Sequence, residues 1–403
     1  MGLFYKANKG HLIDFTLELK GEWYNEIREE TRSRFLAPEW YAQSGVEIVW
    51  PTEETDWAYM LDEVTEVYIR MTYEIASRER LLIVTSAPEK IGVILKRHMP
   101  AKALDNITIA ESEINDTWAR DTGFLTVLGP NGADHGGISI LDKNGNAGII
   151  DFKFNGWGNK FEASKDNAIN RNLFGNNYFK GTYTDCNNYV LEGGSIEVDA
   201  QGSLLTTESC LLTPTRNPQL NKADIEIKLK RFFNVSNILW LSHGHLEGDD
   251  TDGHIDTLAR LCPQGKIAYV KCYDKGDSHY ESLSLMEKEL QSFRQPSGEP
   301  YELVPLPLPE PVYAPADENE NSERLPATYA NYLIINNAVL LPVYNQPEND
   351  ETAAKAIQRL FPRYEVVRIP CLPLLRQHGS LHCSTMQFPA NVLNTKAENK
   401  ADN

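Results

Sequence analysis

Residues 57–98 read WAYMLDEVTEVYIRMTYEIASRERLLIVTSAPEKIGVILKRH, and two different periods lie side by side in them. Trp57, Met60, Leu61, Val64, Val67, Tyr68, Met71 and Ile75 recur at three- and four-residue steps, the spacing that puts apolar side chains on one face of a helix. Arg80-Leu81-Leu82-Ile83-Val84-Thr85 follows as a short apolar run, which reads as a buried strand. Pro88 then sits where a first helical turn tolerates it, and the pattern to His98 reads as a second helix. A strand held between two helices predicts a sheet covered by crossing helices, so the class is α/β or α+β.

The alternation extends both ways from this stretch. Upstream, Val46-Glu47-Ile48-Val49-Trp50 reads as a strand ended by Pro51. Downstream, Ile107–Ala110, Phe124–Val127, Asn237–Leu241, Lys266–Cys272 and Tyr364–Ile369 read as strands, and Ala223–Phe233, Tyr280–Phe293 and Glu351–Phe361 as helices. Tyr332–Ile335 and Val339–Val343 read as paired strands across an Asn336-Asn337 turn. Four or five strand–helix–strand units are visible without a fixed-period repeat. Pro296–Glu323, rich in Pro, Glu, Asn and Ser, reads as a long connection. No strong domain boundary stands out: residues 1–35 read as an N-terminal arm, 36–393 as a single catalytic domain and 394–403 as a tail.

The chain has 403 residues, 41% of them hydrophobic, which suffices for a large core. Its formal net charge is −18, from 57 acidic and 39 basic residues. That field repels nucleic acid and anionic membranes and draws in small cations. No apolar run approaches the ~20 residues that span a bilayer, and MGLFYKANKGHLIDF lacks the apolar core of a signal peptide. The six cysteines are scattered with no CxxC, as in a reduced compartment. The expectation is a cytoplasmic enzyme.

Four segments place reactive residues among turn formers: Asn115–Gly123 (NDTWARDTG), Leu191–Ile196 (LEGGSI), Glu247–Asp256 (EGDDTDGHID) and Gln377–Cys383 (QHGSLHC). Acids in the first three and a thiol in the fourth suit a planar, permanently charged guanidinium. Carboxylates hold its edges by paired charge-assisted hydrogen bonds. Its resonance-stabilised carbon calls for a soft nucleophile such as a thiolate, and a histidine must protonate the departing nitrogen and later activate water. Taken singly, each residue has a plainer reading. A cysteine is more often a small buried hydrophobe than a nucleophile, Asp121 could cap a turn, and Trp118 could be core. Cys383 stands apart through its setting at the end of an expected strand, beside His382 and after Gly379 and Ser380; Cys186, Cys210, Cys262, Cys272 and Cys371 read as structural. The third segment also invites a metal, since His243, His245, Asp249, Asp250, Asp252, His254 and Asp256 crowd together, yet neither an EF-hand pattern nor HExxH occurs. No Gly-x-Ser-x-Gly, Walker loop or dinucleotide fingerprint is present.

Together NDTWARDTG, LEGGSIEVD with TTESCLL behind it, GDDTDGHIDTLAR and LHCSTMQ resemble the agmatine deiminase family of the guanidine-modifying (pentein) superfamily, in that family's order from about Val46 to Gln387. The stretch RLPATYANY at 324–332 is similar to it as well. The resemblance implies a five-bladed pseudo-fivefold α/β propeller of ββαβ units around a central active-site channel. It implies Cys383 as nucleophile, His254 as general acid/base, Glu192 orienting that histidine, Asp121 and Asp256 gripping the guanidinium, and Trp118 beside the substrate's aliphatic chain. It further implies conversion of agmatine to N-carbamoylputrescine and ammonia through a covalent amidino-thioether, no metal or organic cofactor, and a homodimer or larger assembly. One loop departs from the family's glycine-rich pattern: His378-Gly379-Ser380-Leu381 stands before His382-Cys383. That bears on substrate identity more than on reaction type. The alternatives are deimination of peptidyl-arginine, free arginine or a methylated arginine, for which Arg120 and Arg376 would receive a carboxylate; a non-catalytic relative on the same propeller; and a metal-dependent hydrolase.

Overall fold

A computed structural model describes residues 35–129, 147–315 and 323–394. Apart from Phe35 and Asn394, the expected N-terminal arm and C-terminal tail lie outside the described residues. Four times along the chain an antiparallel strand pair is followed by a helix and a third strand parallel to the second. The first such unit pairs Leu125–Leu128 with Gly148–Lys153 and, after helix Asp166–Gly175, adds Thr182–Val190. The second joins Ile196–Val198, Ser203–Thr207 and Asn237–Leu241 around helix Lys222–Phe233. Ala259–Cys262, Lys266–Lys271 and Glu302–Pro307, with helix Tyr280–Ser292, form the third. The fourth comprises Leu333–Ile335, Ala338–Val343 and Glu365–Pro370 with helix Pro347–Leu360.

A fifth sheet repeats the pattern from both ends of the described chain. Thr385–Pro389 lies antiparallel to Gln43–Val49, which is parallel to Arg80–Thr85, itself parallel to Ile107–Glu111. The architecture is therefore mixed α/β.

Local chemistry explains the elements. Helix Leu61–Ala76 buries Val64, Val67, Tyr68, Met71 and Ile75, each fully covered apolar side chain contributing about 1.5–3 kcal/mol. Helix Lys222–Phe233 opens with a capping box between Asn221 and Asp224 and ends where Asn234 turns left-handed at φ +51°. The Asn336-Asn337 turn forms as expected, with Asn337 at φ +66°.

Three expectations need correction. Pro296–Glu323 is not merely a connection, since it supplies the third unit's parallel strand, Glu302–Pro307. Its Pro305 and Pro307 disguise it, although only one side of this edge strand needs amide donors. The strands and helix between Gly148 and Thr207 are absent from the sequence reading because their buried faces carry polar groups. Asp151, for example, accepts from Asn170 and Tyr183 at 2.8 and 2.5 Å. Cys383, finally, does not close a strand; it lies in a turn two residues ahead of Thr385–Pro389.

Candidate active site

In every unit the segment entering the first strand of the antiparallel pair carries a reactive side chain. Asp121 sits in a single helical turn, Ala119–Thr122, ahead of Leu125–Leu128. Glu192 leads the turn Gly193–Ser195 into Ile196–Val198. His254 and Asp256 flank the start of Ile255–Thr257 before Ala259–Cys262. Asn331 precedes Leu333–Ile335, and Cys383 precedes Thr385–Pro389. Neighbouring segments are stitched together in sequence. Gly194 N–H donates to Asp121 Oδ1 at 3.0 Å and Thr207 Oγ1 to the Gly253 carbonyl at 2.6 Å. Thr328 Oγ1 donates to the Thr257 carbonyl at 2.8 Å, His382 N–H to the Asn331 carbonyl at 3.2 Å and Arg120 N–H to the Cys383 carbonyl at 3.1 Å.

The six expected site residues thus converge, all buried. Cys383 Sγ lies 3.9 Å from Asp256 Oδ2. Asp256 Oδ2 also accepts from His382 Nδ1 at 2.8 Å, while its Oδ1 has no partner among the described residues. Asp121 Oδ2 accepts from Trp157 Nε1 at 2.9 Å, and its Oδ1 stands 3.6 Å from His254 Nδ1. Trp118 Nε1 donates to Asp116 Oδ2 at 2.9 Å, with its ring against Trp57. Glu192 Oε2 lies 4.0 Å from His254 Nε2, too far for a hydrogen bond. Both Glu192 oxygens instead accept from Arg216 Nε, at 3.0 and 2.9 Å. Arg216 also holds Asp252 and the Thr251 carbonyl, so the same guanidinium anchors the carboxylate and the loop that carries His254.

Close approach explains Gly194. A Cβ there would stand 2.6 Å from His254 Nδ1 and 2.9 Å from Asp121 Oδ1.

Electrostatics divides the roles. Burial opposes the His254 cation, but Asp121, then Cys210 and Glu192, outweigh it and raise the imidazole to about 10. Burial raises Asp121 to about 6 against the pull of His254, with Asp256 and Glu192 adding to the rise. For Cys383, burial first and then the charges of Asp256 and Asp121 push the thiol well above its ordinary value. A cation placed between those carboxylates cancels the charge that keeps the thiol protonated.

A cavity of about 190 Å³ opens onto Cys383, Trp118 and Asp121. Asp56, Asp116, Asp249 and Asp250 also line it, and among the described lining residues there is neither Lys nor Arg. The expected carboxylate receptors are elsewhere. Arg120 is buried 3.9 Å from Glu39, and Arg376 pairs with Glu63 at 3.3 Å.

The crowded His/Asp segment does not gather into one donor set. His243 engages Glu289, Asp249 accepts from Thr251 and Gly253, and Asp252 pairs with Lys160 and Arg216. Among the described residues the compact donor groups are Glu192–Cys210–His254 and Glu39–Glu197–His382. Arg216 occupies Glu192 in the first, and Arg260 binds Glu39 and Glu197 in the second. Cys210, read from sequence as structural, therefore lies against the site histidine.

Sequence reasoning also missed Glu39, Trp157, Arg216 and Asn331. The Gly156-Trp157-Gly158 triplet carried a signal, since Trp157 itself is left-handed at φ +53°. Arg216 follows the TTESCLL stretch, and Asn331 lies inside RLPATYANY, but neither bears a charge pattern that names its role.

A thiol, an imidazole and two carboxylates packed together beside an acidic cavity that no Lys or Arg lines, within repeated ββαβ units, define a guanidine-modifying enzyme. The model of the Porphyromonas-type peptidyl-arginine deiminases matches residues 35–389, and the chain belongs to that family. It is 30% identical over 375 residues to the agmatine deiminase of Stutzerimonas stutzeri, covering 88% of this chain and 95% of that one. A solved Porphyromonas gingivalis protein, provisionally named an arginine deiminase, is 45% identical with a TM-score of 0.79, covering 90% of this chain and 100% of that one. A substrate-bound cysteine-to-serine variant of C. jejuni agmatine deiminase is 34% identical with a TM-score of 0.76, covering 89% and 97%.

Proposed function

We propose that the chain hydrolyses agmatine to N-carbamoylputrescine and ammonia, with Cys383 as nucleophile. The observation that carries agmatine over arginine is the cavity wall, where Asp56, Asp116, Asp249 and Asp250 outnumber the single His378 and no Lys or Arg stands ready to receive an α-carboxylate. A substrate cationic at both ends suits it, and a zwitterionic amino-acid end does not.

In the first stage Asp121 and the free Oδ1 of Asp256 bind the guanidinium edges, and its charge promotes loss of the Cys383 proton to solvent. The thiolate adds to the guanidinium carbon. His254, held as the cation, gives its proton to the departing nitrogen, and ammonia leaves an amidino-thioether on Cys383. In the second stage neutral His254 takes a proton from water, whose oxygen attacks the same carbon. The C–S bond breaks with its electron pair going to Cys383 Sγ, the hydroxyl proton passes to that sulfur or to solvent, and the neutral ureido product leaves with His254 protonated again. Glu192, tied to Arg216, acts on His254 as a charge at 4.0 Å and as an anchor for its loop. Neither metal nor organic cofactor enters these steps.

The cyclic stitching of five site-bearing segments supports a five-bladed pseudo-fivefold propeller with the site in its central channel, formed by residues 36–393 as one catalytic domain. No helix among the described residues is long and apolar enough to cross a membrane. With the acidic field, this favours a cytoplasmic enzyme of small cations that binds neither nucleic acid nor membranes, and the family suggests a homo-oligomer.

The 45% identity to a protein provisionally named an arginine deiminase supports a second reading, deimination of free or peptidyl arginine. Ammonia release from agmatine, arginine, a C-terminal arginyl peptide and dimethylarginine separates the two. Agmatine should give the highest kcat/KM, and a preference for arginine would overturn the substrate assignment. Cys383→Ser should lose turnover by at least about a thousandfold; full activity would end the covalent mechanism.

A further inference from the structure

Asn331 is fully buried and reaches two of the proposed reacting groups at once. Its Oδ1 accepts the backbone N–H groups of His382 and Cys383 at 2.9 and 3.2 Å. Those two fixed donors settle the orientation of the amide, because a reversed side chain would aim N–H groups at N–H groups. Nδ2 is then the donor end, and Oδ1, 3.4 Å from Cys383 Sγ, can accept only from the protonated thiol. Nδ2 lies 3.2 Å from Cys383 Sγ and 3.2 Å from Asp256 Oδ2.

We infer that Asn331 is the hydrogen-bond donor that stabilises the Cys383 thiolate and fixes its direction of attack, an inference that rests on Cys383 being the nucleophile. The carboxylates near the sulfur disfavour the anion: Asp256 is 3.9 Å away, and Asp121 adds its own repulsion, against which the Ser380 backbone and the Asn331 amide both help. The substrate cation offsets these only while it is bound and its charge is undivided. Once the amidino-thioether forms and later breaks, sulfur must again accept negative charge as the leaving group, and the Asn331 N–H is then the donor already in place. The same amide ties Asp256 to the nucleophile loop, so the carboxylate that grips the guanidinium and the sulfur that attacks it share one rigid reference. The fourth unit thereby contributes to the chemistry alongside the other four.

The two ends of the amide can be tested apart. Asn331→Asp keeps an oxygen for the His382 and Cys383 N–H groups but removes the donor facing sulfur. Alkylation of Cys383 by iodoacetamide in the full chain, mapped by peptide mass and followed from pH 6 to 10, reads the thiolate directly. N331D should melt near the parent temperature yet alkylate at least about tenfold more slowly throughout this range, with kcat falling more than KM rises. Should N331D fold poorly, Asn331→Ala, assayed below its own melting temperature, removes the donor without adding charge and should show the same slowing. Parent-like alkylation across the range in either folded variant overturns the inference. The readout is independent of turnover, so failure here is distinct from failure of the nucleophile assignment, which Cys383→Ser tests.

Discussion

At the scale of single residues, the two clamp carboxylates are pushed apart: against burial, His382 holds Asp256 below its ordinary value, whereas burial raises Asp121. Asp121 shows the tension most clearly. Burial raises it to about 6, yet gripping a guanidinium requires the charged form. Because the active form is the deprotonated one, kcat/KM for agmatine should fall as pH drops through about 6. It should fall again as His254, held up to about 10, loses the proton it must donate. These limbs belong to the coupled Asp121–His254 pair rather than to either residue alone. Asp121→Asn deletes the charge but keeps the shape, so it should lower kcat/KM about ten- to a hundredfold, the worth of a charge-assisted hydrogen bond, and erase the acid limb. A pH–rate profile in which D121N keeps the limb near 6 would remove Asp121 from the clamp.

At the scale of elements, precision comes from loops pressed against one another. Gly379 touches the face of Trp118 so closely that a Cβ would stand 2.2 Å from its ring. Trp118 has little freedom to yield, with Trp57 behind it and Asp116 holding its Nε1. Gly379→Ala should therefore displace the indole from the cavity wall and lower kcat/KM by up to about a hundredfold, the cost of misplacing a reactant by roughly 1 Å. The fold should survive, because Gly379 and Trp118 both line the cavity, which leaves the ring open space to move into. A G379A enzyme with unchanged kcat/KM would show that the ring is not a substrate wall.

The same loops explain what the sequence made legible. Asp121, Glu192, His254, Asp256 and Cys383 stood out because acids, histidine and thiol sit beside glycines in short turns, where backbone approach demands them. Glu39 did not, since it acts on His382 across 343 residues of chain and no local pattern reports that contact. Arg216 was hidden for a similar reason: its partners, Glu192 and Asp252, come from two other loops. Among the elements, helix Leu61–Ala76 and strand Arg80–Thr85 were plain because one period rules each. Thr182–Val190 was not, because Asn187 donates to Asp185 within the strand and to Asp151 on its neighbour, and these polar side chains mask the alternation.

At the scale of the whole molecule, one sheet joins the two ends of the described chain, and a buried carboxylate lies within it. Gln43–Val49 takes Thr385–Pro389 on one side and Arg80–Thr85 on the other, so this sheet cannot open without releasing both ends. Glu47 lies on its inner strand, opposite Met386 and Leu82, and among the described residues neither of its oxygens has a hydrogen-bond partner. Burial alone raises it from 4.5 to about 8. Glu79, at the turn into Arg80–Thr85, is raised to about 8 by burial, against a hydrogen bond from the Asn336 N–H. In both cases the folded state holds its proton more tightly than the unfolded chain does. The associated stability is therefore fully present below about 4.5 and is lost as pH rises through about 8. A tenfold change in proton affinity is worth about 1.4 kcal/mol, so a few kcal/mol are at stake at Glu47. The melting temperature should accordingly decline between pH 6 and 9. Glu47→Gln, neutral at every pH, should flatten that decline and melt higher than the parent at pH 9, while gaining nothing at pH 5. Parallel melting curves for parent and E47Q across that range would show that Glu47 is not the group that charges as the closing sheet comes apart.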